Sequence, residues 1–379
     1  MDATARAHDD RVVLTWPDGR SDELPHVWLR DNCVCAECRD PDAWERRLDT
    51  VTLPEGLVPA RVAVDDGLVV DWPDGHRTVL SASWLAAHAP GRTAPEPTEA
   101  TGVPWDAAIA EQPPEIAHEE LADDAGLLRW LRLIRDYGFA LVRDVPTDAK
   151  AVVGLAERVA FVQETNFGHT FEVVSKPDPE NLAYTAHRLY AHTDIPNRHS
   201  AVNLQLLHCL ENSAEGGESI LVDGFEAARR LEQQDPEAYE LLRTVWVPWR
   251  FQDETTDIAN RFPVIGTDDR GRLLEIRFNT AILAPLDLEP DLLVRYYDAL
   301  RAFGRIVRDP DLEYRFRMAP GDCQVFDNQR VLHARAAFDP TTGRRHLQGC
   351  YVDKDDALGR LRTLERRLAA DDAVGVAAG

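Results

Sequence analysis

The sequence predicts a mainly β protein with a few helices, built as a sandwich or jelly roll behind a small N-terminal β domain. Two patterns predict this fold. Short strand-like runs recur through the last two thirds of the chain, between a few stretches of helical spacing. A Trp-Pro-Asp-Gly sequence occurs twice near the N-terminus, which indicates a repeated hairpin. Many short strands with few helices are typical of sandwiches and jelly rolls.

The N-terminal β domain, residues 1–90, contains a weak internal repeat. Trp16-Pro17-Asp18-Gly19 recurs as Trp72-Pro73-Asp74-Gly75, and in both copies a leucine follows the tryptophan by eight positions and Trp-Leu follows by twelve. Asp-Gly between alternating apolar runs is a hairpin signal. We therefore predict two similar hairpins, with strands at residues 11–15 and 68–71.

A stretch rich in Pro, Ala, Thr and Glu predicts a linker over residues 91–114, so the main domain spans residues 115–379. Within it, apolar spacing predicts helices over 127–137, 150–162, 227–245 and 290–308. Strand-like runs cover 139–142, 202–208, 219–222, 273–278, 323–326 and 347–352. An Arg/Leu amphipathic helix over 356–369 ends the domain, and its apolar stripe fits the core or a second subunit. Because the stripe could pack against a second subunit, we expect a homodimer.

Composition restricts the function classes. Hydrophobic residues make up 44% of the chain, enough for a sizeable core, and the net charge is -24. Such a charge repels phosphate backbones, so we expect no binding to nucleic acid. No apolar run approaches the roughly 18 residues that a membrane-spanning helix needs, and the N-terminus lacks a secretion signal. We expect a soluble, cytoplasmic protein that does not bind a membrane.

Three cysteines crowd together at Cys33, Cys35 and Cys38. In a long chain without a secretion signal, such a triplet binds metal more often than it forms disulfides. Three thiolates supply three ligands of a tetrahedral zinc ion, which takes a fourth. The spacing therefore predicts a zinc site in the N-terminal domain.

The triplet His192-Thr193-Asp194 is the first candidate for catalysis. In a strand, residues i and i+2 point the same way, so His192 and Asp194 can reach one ion. One histidine and one carboxylate, completed by a distant histidine, form the facial triad of non-haem iron oxygenases. Three protein ligands leave positions on the iron for a cosubstrate and oxygen.

The distant histidine has four candidates downstream: His199, His208, His333 and His346. His208 lies in an apolar run and His199 in a polar loop. His333 follows a strand-like run, and Arg345 lies twelve residues beyond it. A dicarboxylate that chelates iron at one end needs a cationic fork at its far carboxylate, which arginine supplies. The pair of His333 and Arg345 is therefore favoured.

The order of these motifs resembles a known family. His192-x-Asp194, then Asn328-x-x-Val-Leu-His333-x-Arg, then Arg345-His-Leu-x-Gly-x-Tyr351 is similar to the gamma-butyrobetaine hydroxylases, 2-oxoglutarate oxygenases of the taurine-dioxygenase-like group. The resemblance runs over nearly the whole chain. It implies a double-stranded β-helix, which is the jelly-roll form, and hydroxylation of a small molecule with O2. It also implies Fe(II) at the triad, with the far carboxylate of 2-oxoglutarate at Arg345 and Ser219.

The same resemblance completes the zinc site. It implies that His76 is the fourth ligand beside Cys33, Cys35 and Cys38, although His26 is nearer in sequence. Four protein ligands close the coordination shell, so the zinc is expected to be structural.

The resemblance also implies an aromatic cage for a trimethylammonium group, which aromatic faces attract through cation–π interactions. The matching positions are Phe167, Phe171, Tyr184 and Tyr351, and Asn181 and Asn279 match the residues that bind the substrate carboxylate. The family has tyrosine and tryptophan in place of Phe167 and Phe171, and a further tyrosine in place of Ile195. We expect gamma-butyrobetaine or a related quaternary ammonium substrate. The alternatives are a same-fold oxygenase acting on an aminophosphonate or a biosynthetic small molecule, and a non-enzymatic zinc scaffold.

Overall fold

The computed structural model describes residues 2–91, 102–174 and 185–377, with side chains as far as residue 369. The chain divides into two compact units, Met1–Glu99 and Ala100–Gly379. Of the predicted linker, residues 92–101 lie outside the described residues. Residues 102–114 contain the buried Trp105 and a 3-10 helix, Ala107–Glu111.

The N-terminal unit is built from two copies of a three-stranded antiparallel sheet followed by a short helix. The first copy comprises β1 (Thr4–Ala7), β2 (Arg11–Thr15), β3 (Ser21–Pro25) and α1 (His26–Asp31). The second comprises β4 (Arg61–Val64), β5 (Gly67–Asp71), β6 (Arg77–Ser81) and α2 (Ala82–His88).

The Trp-Pro-Asp-Gly repeat forms the turn of an equivalent hairpin in each copy. Its glycine has φ of +84° in the first turn and +85° in the second, a conformation that favours glycine. In the first copy Trp16 Nε1 donates to Asp22 Oδ2 at 2.6 Å, and in the second Trp72 Nε1 donates to Thr78 Oγ1 at 3.0 Å. The repeat is therefore a local structural unit used twice.

Two sheets form the jelly roll of the second unit. The larger sheet comprises β7 (Glu115–Ala117), β8 (Phe139–Arg143), β9 (Val162–Gln163), β10 (Phe171–Val174), β12 (Leu204–Asn212), β20 (Cys323–Asp327) and β23 (Arg345–Val352). The smaller sheet comprises β11 (Leu189–His192), β14 (Ser219–Asp223), β19 (Tyr314–Phe316) and β21 (Val331–Arg335). Among the described residues the strand order of the larger sheet is β10-β23-β12-β20-β8-β7, with β9 also paired to β23, and that of the smaller sheet is β11-β21-β14-β19.

Short two-stranded pairs and helices complete the unit. The pairs are β13 (Glu215–Gly216) with β22 (Phe338–Asp339), β15 (Val247–Gln252) with β16 (Asp257–Phe262), and β17 (Ile265–Thr267) with β18 (Leu273–Ile276). The helices are α3 (Asp124–Tyr137), α4 (Ala151–Ala156), α5 (Gly224–Gln234), α6 (Pro236–Thr244), α7 (Pro290–Ile306) and α8 (Lys354–Ala377).

Two predicted helices differ from the structure. The stretch 227–245 forms two helices, α5 and α6, rather than one. Asp235 ends the first and caps the second by accepting from the Ala238 N–H at 3.0 Å, and Pro236 occupies the first turn, where proline is tolerated. The predicted helix over 150–162 stops at Ala156, and the chain then enters β9, which pairs with β23.

Alternation along the central strands separates the core from the interior of the jelly roll. In β12, Leu204 and Leu206 pack in a cluster with α3, α4 and α8, while Gln205 and Leu207 face a cavity. The apolar stripe of α8 is buried in that same cluster. Helices α5, α6 and α7 pack with the smaller sheet in a second cluster. No described helix is long and apolar enough to cross a membrane.

Candidate active site and metal centres

A cavity of about 680 Å³ lies in the second unit, lined by both sheets. Strands β10, β12, β20 and β23 of the larger sheet supply one wall, and β11, β14 and β21 of the smaller sheet supply the other. Every candidate residue of the active site that the structure describes lines this cavity: Phe167, Phe171, His192, Asp194, Ser219, Asn279, His333, Arg345 and Tyr351.

Sheet register brings His192, Asp194 and His333 together. His192 at the end of β11 lies directly opposite His333 in β21, with ring centroids 4.3 Å apart. Asp194 Oδ1 lies 3.3 Å from His192 Nε2 and 3.7 Å from His333 Nε2. The three ligand atoms could therefore hold one metal ion at the cavity that these residues line.

The two imidazoles are oriented differently. His192 Nδ1 lies 2.8 Å from the carbonyl oxygen of Tyr190, to which it donates, so Nε2 is the ring nitrogen that faces Asp194. The His333 ring packs between His192 and Phe326, whose centroid is 4.9 Å away. Within the described chain, His333 Nδ1 has no hydrogen-bond partner. Packing therefore fixes the second ring where a hydrogen bond fixes the first.

The surroundings of the three ligand residues shift the pKa of each one in a different way. Burial and the neighbouring His192 lower the pKa of His333 to about 3. Burial opposes ionisation of Asp194, but His333 and His192 hold the pKa of its carboxyl well below the usual range. For His192, burial lowers the pKa, but the hydrogen bond to Asp194, the charge of Asp194 and contacts with backbone carbonyl oxygens together outweigh burial and raise it. The site thus has an anionic carboxylate and one firmly neutral imidazole.

Asn328 fixes the loop that carries Asp194. Its Oδ1 accepts from the Asp194 N–H at 2.7 Å, and its Nδ2 donates to the carbonyl oxygens of Asp194 and Val202 at 3.0 and 3.1 Å. The next residue, Ile195, has φ of +50°, which is rare for a β-branched residue. The buried amide of Asn328 therefore holds a strained turn beside the ligand.

Arg345 lies on the cavity wall at the start of β23 and is only 6% exposed. Its Nε donates to the Gly217 carbonyl oxygen at 3.2 Å, and burial lowers its pKa to about 10. Gly217 has φ of +70°, and a Cβ there would lie 3.0 Å from Arg345 Cδ. Arg344, the neighbouring arginine, has a 70% exposed side chain near Glu211. The two arginines therefore lie in opposite environments.

Arg335 is a cavity residue to which the sequence analysis assigned no role. It lies two positions beyond His333 in β21, directly opposite Ser219 in β14. Its Nη2 donates to the carbonyl oxygen of His187 at 2.8 Å, and burial followed by the charge of Arg345 lowers its pKa to about 10. The spacing of two from His333 was the available signal. Ser219 and two buried arginines thus line a cationic part of the cavity.

The structure describes three of the four predicted cage residues. Phe167, Phe171 and Tyr351 form one apolar cluster with Ile195 and Val202, and the rings of Phe171 and Tyr351 lie 5.0 Å apart. Asn279 also lines the cavity, where its Nδ2 donates to the Thr193 carbonyl oxygen at 3.3 Å. Tyr184 and Asn181 lie outside the described residues.

The cysteines of the N-terminal unit converge on His76. Its Nε2 lies 3.3, 3.6 and 3.5 Å from the sulfurs of Cys33, Cys35 and Cys38. A tetrahedral site with Zn–S of about 2.3 Å and Zn–N of about 2.0 Å has S···N edges of about 3.5 Å. His26 is not in this group, since its Nδ1 bonds the Leu57 carbonyl oxygen at 2.9 Å. The Cys₃His geometry is consistent with a zinc site.

Arg30 and Glu37 surround this cluster. Arg30 Nη1 donates to Cys38 Sγ at 3.1 Å, and His76 Nδ1 lies 3.5 Å from a carboxylate oxygen of Glu37. Such outer contacts orient metal ligands, and the Arg30 cation also offsets the negative charge of the thiolates. With all four ligands supplied by the protein, the site leaves no position for chemistry.

A jelly roll whose cavity contains two histidines and a carboxylate defines the class of non-haem iron oxygenases. Comparison with known proteins gives the family. Residues 103–351 match the family described as taurine catabolism dioxygenase TauD, TfdA, and residues 4–86 match the N-terminal region of gamma-butyrobetaine hydroxylase-like proteins. The chain belongs to the TauD/TfdA dioxygenase family, in its gamma-butyrobetaine hydroxylase-like branch.

Two relatives identified by sequence agree with this family assignment. A gamma-butyrobetaine dioxygenase of Pseudomonas sp. strain AK-1 is 40% identical over 370 residues, 96% of each chain. The mitochondrial trimethyllysine dioxygenase of Gallus gallus is 33% identical over 94% of this chain and 87% of its own. A solved asparagine oxygenase with Fe(II), 3-hydroxyasparagine and succinate has a TM-score of 0.48 at 18% identity, covering 68% of this chain and 87% of its own.

Family membership confirms the predicted jelly roll and the prediction of an Fe(II)- and 2-oxoglutarate-dependent dioxygenase. It excludes the non-enzymatic scaffold. The Cys₃His cluster agrees with the predicted zinc cofactor.

Proposed function

We propose that the enzyme hydroxylates an unactivated C–H bond in a small zwitterion bearing a quaternary ammonium group, gamma-butyrobetaine or a close relative. The observation that supports this most strongly is the position of the triad. His192, Asp194 and His333 offer three ligand atoms to one side of a cavity that also contains a buried aromatic cluster and a buried arginine. In this proposal these three residues hold Fe(II).

Iron would supply oxygen activation, with 2-oxoglutarate as the cosubstrate that is oxidised. The protein's part is orientation and exclusion of water. Arg345 would bind the far carboxylate of 2-oxoglutarate, beside the hydroxyl of Ser219. Leu207 and Leu347 line the same cavity and would keep it dry. The cosubstrate is then held at both ends.

The charge distribution of the cavity supports the substrate class. Among its described lining residues, Asp194 is the one carboxylate, and it is assigned to iron. A cation in this cavity therefore meets aromatic faces rather than a counter-ion. A trimethylammonium group suits such a site because it is poorly hydrated and has no hydrogen to donate. The relatives named for gamma-butyrobetaine and trimethyllysine act on compounds of this kind. Asn279 would meet the substrate's anionic end.

The test compares gamma-butyrobetaine with its carbon isostere, 5,5-dimethylhexanoate, in which an uncharged tert-butyl group replaces the trimethylammonium group, by product formation with Fe(II), 2-oxoglutarate and ascorbate. A cation–π contribution of about 0.5–2 kcal/mol gives a preference for the cation of about 2- to 30-fold in kcat/KM. Phe171→Leu should reduce that preference. Phe161→Leu is the control, since Phe161 is 85% exposed and does not line the cavity.

Equal turnover of cation and isostere, unchanged in Phe171→Leu, would show that the cavity does not recognise positive charge. The betaine proposal would then fall, and a panel of amino acids and aminophosphonates would identify the same-fold alternative. The dioxygenase assignment would be unaffected, since 2-oxoglutarate consumption measures it separately.

We also propose that Cys33, Cys35, Cys38 and His76 hold the structural zinc. The match between their S···N distances and a tetrahedral edge supports this assignment. The homodimer stays a prediction. The apolar stripe that suggested it, which includes Leu361 and Leu364 of α8, is buried in the chain's own core. Light scattering coupled to gel filtration measures the oligomeric state.

A further inference from the structure

The two oxygens of the Asp194 carboxylate have different partners. Oδ1 faces the Nε2 atoms of His192 and His333, at 3.3 and 3.7 Å. Oδ2 accepts from Gln205 Nε2 at 2.9 Å and from the Tyr351 hydroxyl at 3.0 Å. Building on the proposed iron site, we infer that Gln205 and Tyr351 are positioning residues. They occupy Oδ2, so that Asp194 presents Oδ1 alone to the metal.

The sheet places both donors together. Gln205 in β12 and Tyr351 in β23 are directly opposite in the antiparallel register, so their side chains project on the same face of the larger sheet. Both residues are almost fully buried, at 1% and 3% exposure. Asp194 lies on the loop after β11, in the other wall of the cavity. The two donors therefore reach the carboxylate across the interior of the jelly roll.

Two buried donors on Oδ2 make this oxygen less available to a metal than Oδ1. Hydrogen bonds to an ionised acceptor in a water-poor site are strong and directional. An oxygen that accepts two of them is a weaker competitor for a metal than its free partner. Monodentate binding through Oδ1 leaves an additional coordination position, which a cosubstrate and oxygen require. Loss of the donors frees Oδ2 to bind the metal as well.

Tyr351 links the ligand to the aromatic cluster. Its ring lies 5.0 Å from that of Phe171, which rests over Gly349, where a Cβ would lie 2.4 Å from Phe171 Cζ. The absence of a side chain at Gly349 thus leaves room for the Phe171 ring, which packs tilted against Tyr351. A substrate seated on this wall contacts the ring whose hydroxyl holds Asp194. Substrate occupancy is therefore coupled to the geometry of the metal ligand.

The test uses Tyr351→Phe, which keeps the ring, and Gln205→Met, which keeps the volume. Co(II) affinity is measured by titration in the complete chain with the Cys₃His site kept filled by zinc, and the d–d absorption of the bound Co(II) is a second readout. Loss of an outer-shell partner lowers metal affinity by about 10- to 100-fold, and we expect this in both variants. The absorption should also change, because bidentate carboxylate alters the coordination number. General destabilisation would not produce that change.

A third readout separates the two donors. With Fe(II), Tyr351→Phe should lower the ratio of hydroxylated product to succinate. The substitution removes the hydrogen bond that joins Asp194 to the aromatic cluster of Phe167, Phe171 and Tyr351, which we call the substrate wall. Gln205→Met should affect metal affinity more than substrate KM. Phe167→Leu is the matched control: it alters the same aromatic cluster but no hydrogen bond to Asp194, so it should raise substrate KM and leave Co(II) affinity and spectrum unchanged.

Wild-type Co(II) affinity and spectrum in both donor variants would overturn this inference. His192→Ala distinguishes that result from failure of the iron site. If wild type binds Co(II), His192→Ala does not, and both donor variants match wild type, the positioning role alone is wrong. If wild type and His192→Ala bind equally, the assignment of the triad is wrong. Thermal midpoints of all variants verify that each is folded.

Discussion

Replacing Arg345 by methionine separates cosubstrate binding from folding. The side chain is buried, and within the described chain its one hydrogen bond is from Nε to the Gly217 carbonyl oxygen. Burial lowers its pKa to about 10, and its charge also lowers the pKa of the nearby Arg335. Without a carboxylate partner, this buried cation is therefore unfavourable. Arg345→Met should not lower the thermal midpoint of the ligand-free protein.

The same substitution should strongly weaken binding of 2-oxoglutarate. Removing one partner from a buried, hydrogen-bonded charge pair costs about 2–5 kcal/mol. At about 1.4 kcal/mol per factor of ten, the KM for 2-oxoglutarate should rise by about 30- to 4,000-fold. The KM of the prime substrate should change far less, since Arg345 does not belong to the aromatic cluster.

The assay is succinate formation against 2-oxoglutarate concentration, with thermal midpoints measured with and without the cosubstrate. Arg344→Met is the matched control, because that side chain is 70% exposed beside Glu211. It should leave the KM unchanged, as exposed ion pairs contribute little. An equal rise in KM for Arg344→Met and Arg345→Met would refute the assignment, as would a large loss of ligand-free stability in Arg345→Met alone.

Three further predictions concern the metals and the aromatic wall. Asp194→Ala should abolish hydroxylation, because it removes the anionic ligand; coupled product and succinate at the wild-type ratio would contradict this. The purified protein should contain about one zinc per chain, and Cys38→Ser should lower both zinc content and the unfolding midpoint, since metal binding is linked to folding. Gly349→Ala should cost about 1–3 kcal/mol of stability and raise substrate KM, because the new Cβ meets the Phe171 ring. Gly154→Ala in α4 is its control: nothing lies within 4 Å of the new Cβ, so calorimetry should show no loss of stability.

Features set by neighbours in sequence were predictable. The hairpins of the N-terminal unit depend on Asp-Gly turns and alternating apolar residues, and strand β2 has the predicted bounds. The break between α5 and α6 was also encoded locally, in Asp235-Pro236, but the prediction gave more weight to apolar periodicity than to these capping residues. Residues close together in sequence therefore explain both the correct prediction of β2 and the missed break between α5 and α6.

Pairing between strands that are far apart in the chain was harder to predict from the sequence. The register that sets His192 opposite His333 joins strands far apart in the chain, and no local pattern specifies it. The prediction of His333 instead depended on the position of Arg345 and on family resemblance. For the zinc cluster, residue spacing indicated three cysteine ligands and the family resemblance indicated His76 rather than His26, and the structure places His76 beside the three cysteines.

The sequence did not indicate which side chains position Asp194. Gln205 is a polar residue in an otherwise apolar strand, and Tyr351 was assigned to the substrate wall from its aromatic ring alone. Only the β12–β23 register shows that both donate to the same oxygen of Asp194. A residue type limits the bonds that a side chain can make, but tertiary structure selects which of them form. In the proposed site the hydroxyl of Tyr351 would hold the metal ligand Asp194 and its ring would contact the substrate, so Tyr351→Phe, which removes the hydroxyl and keeps the ring, separates the two roles.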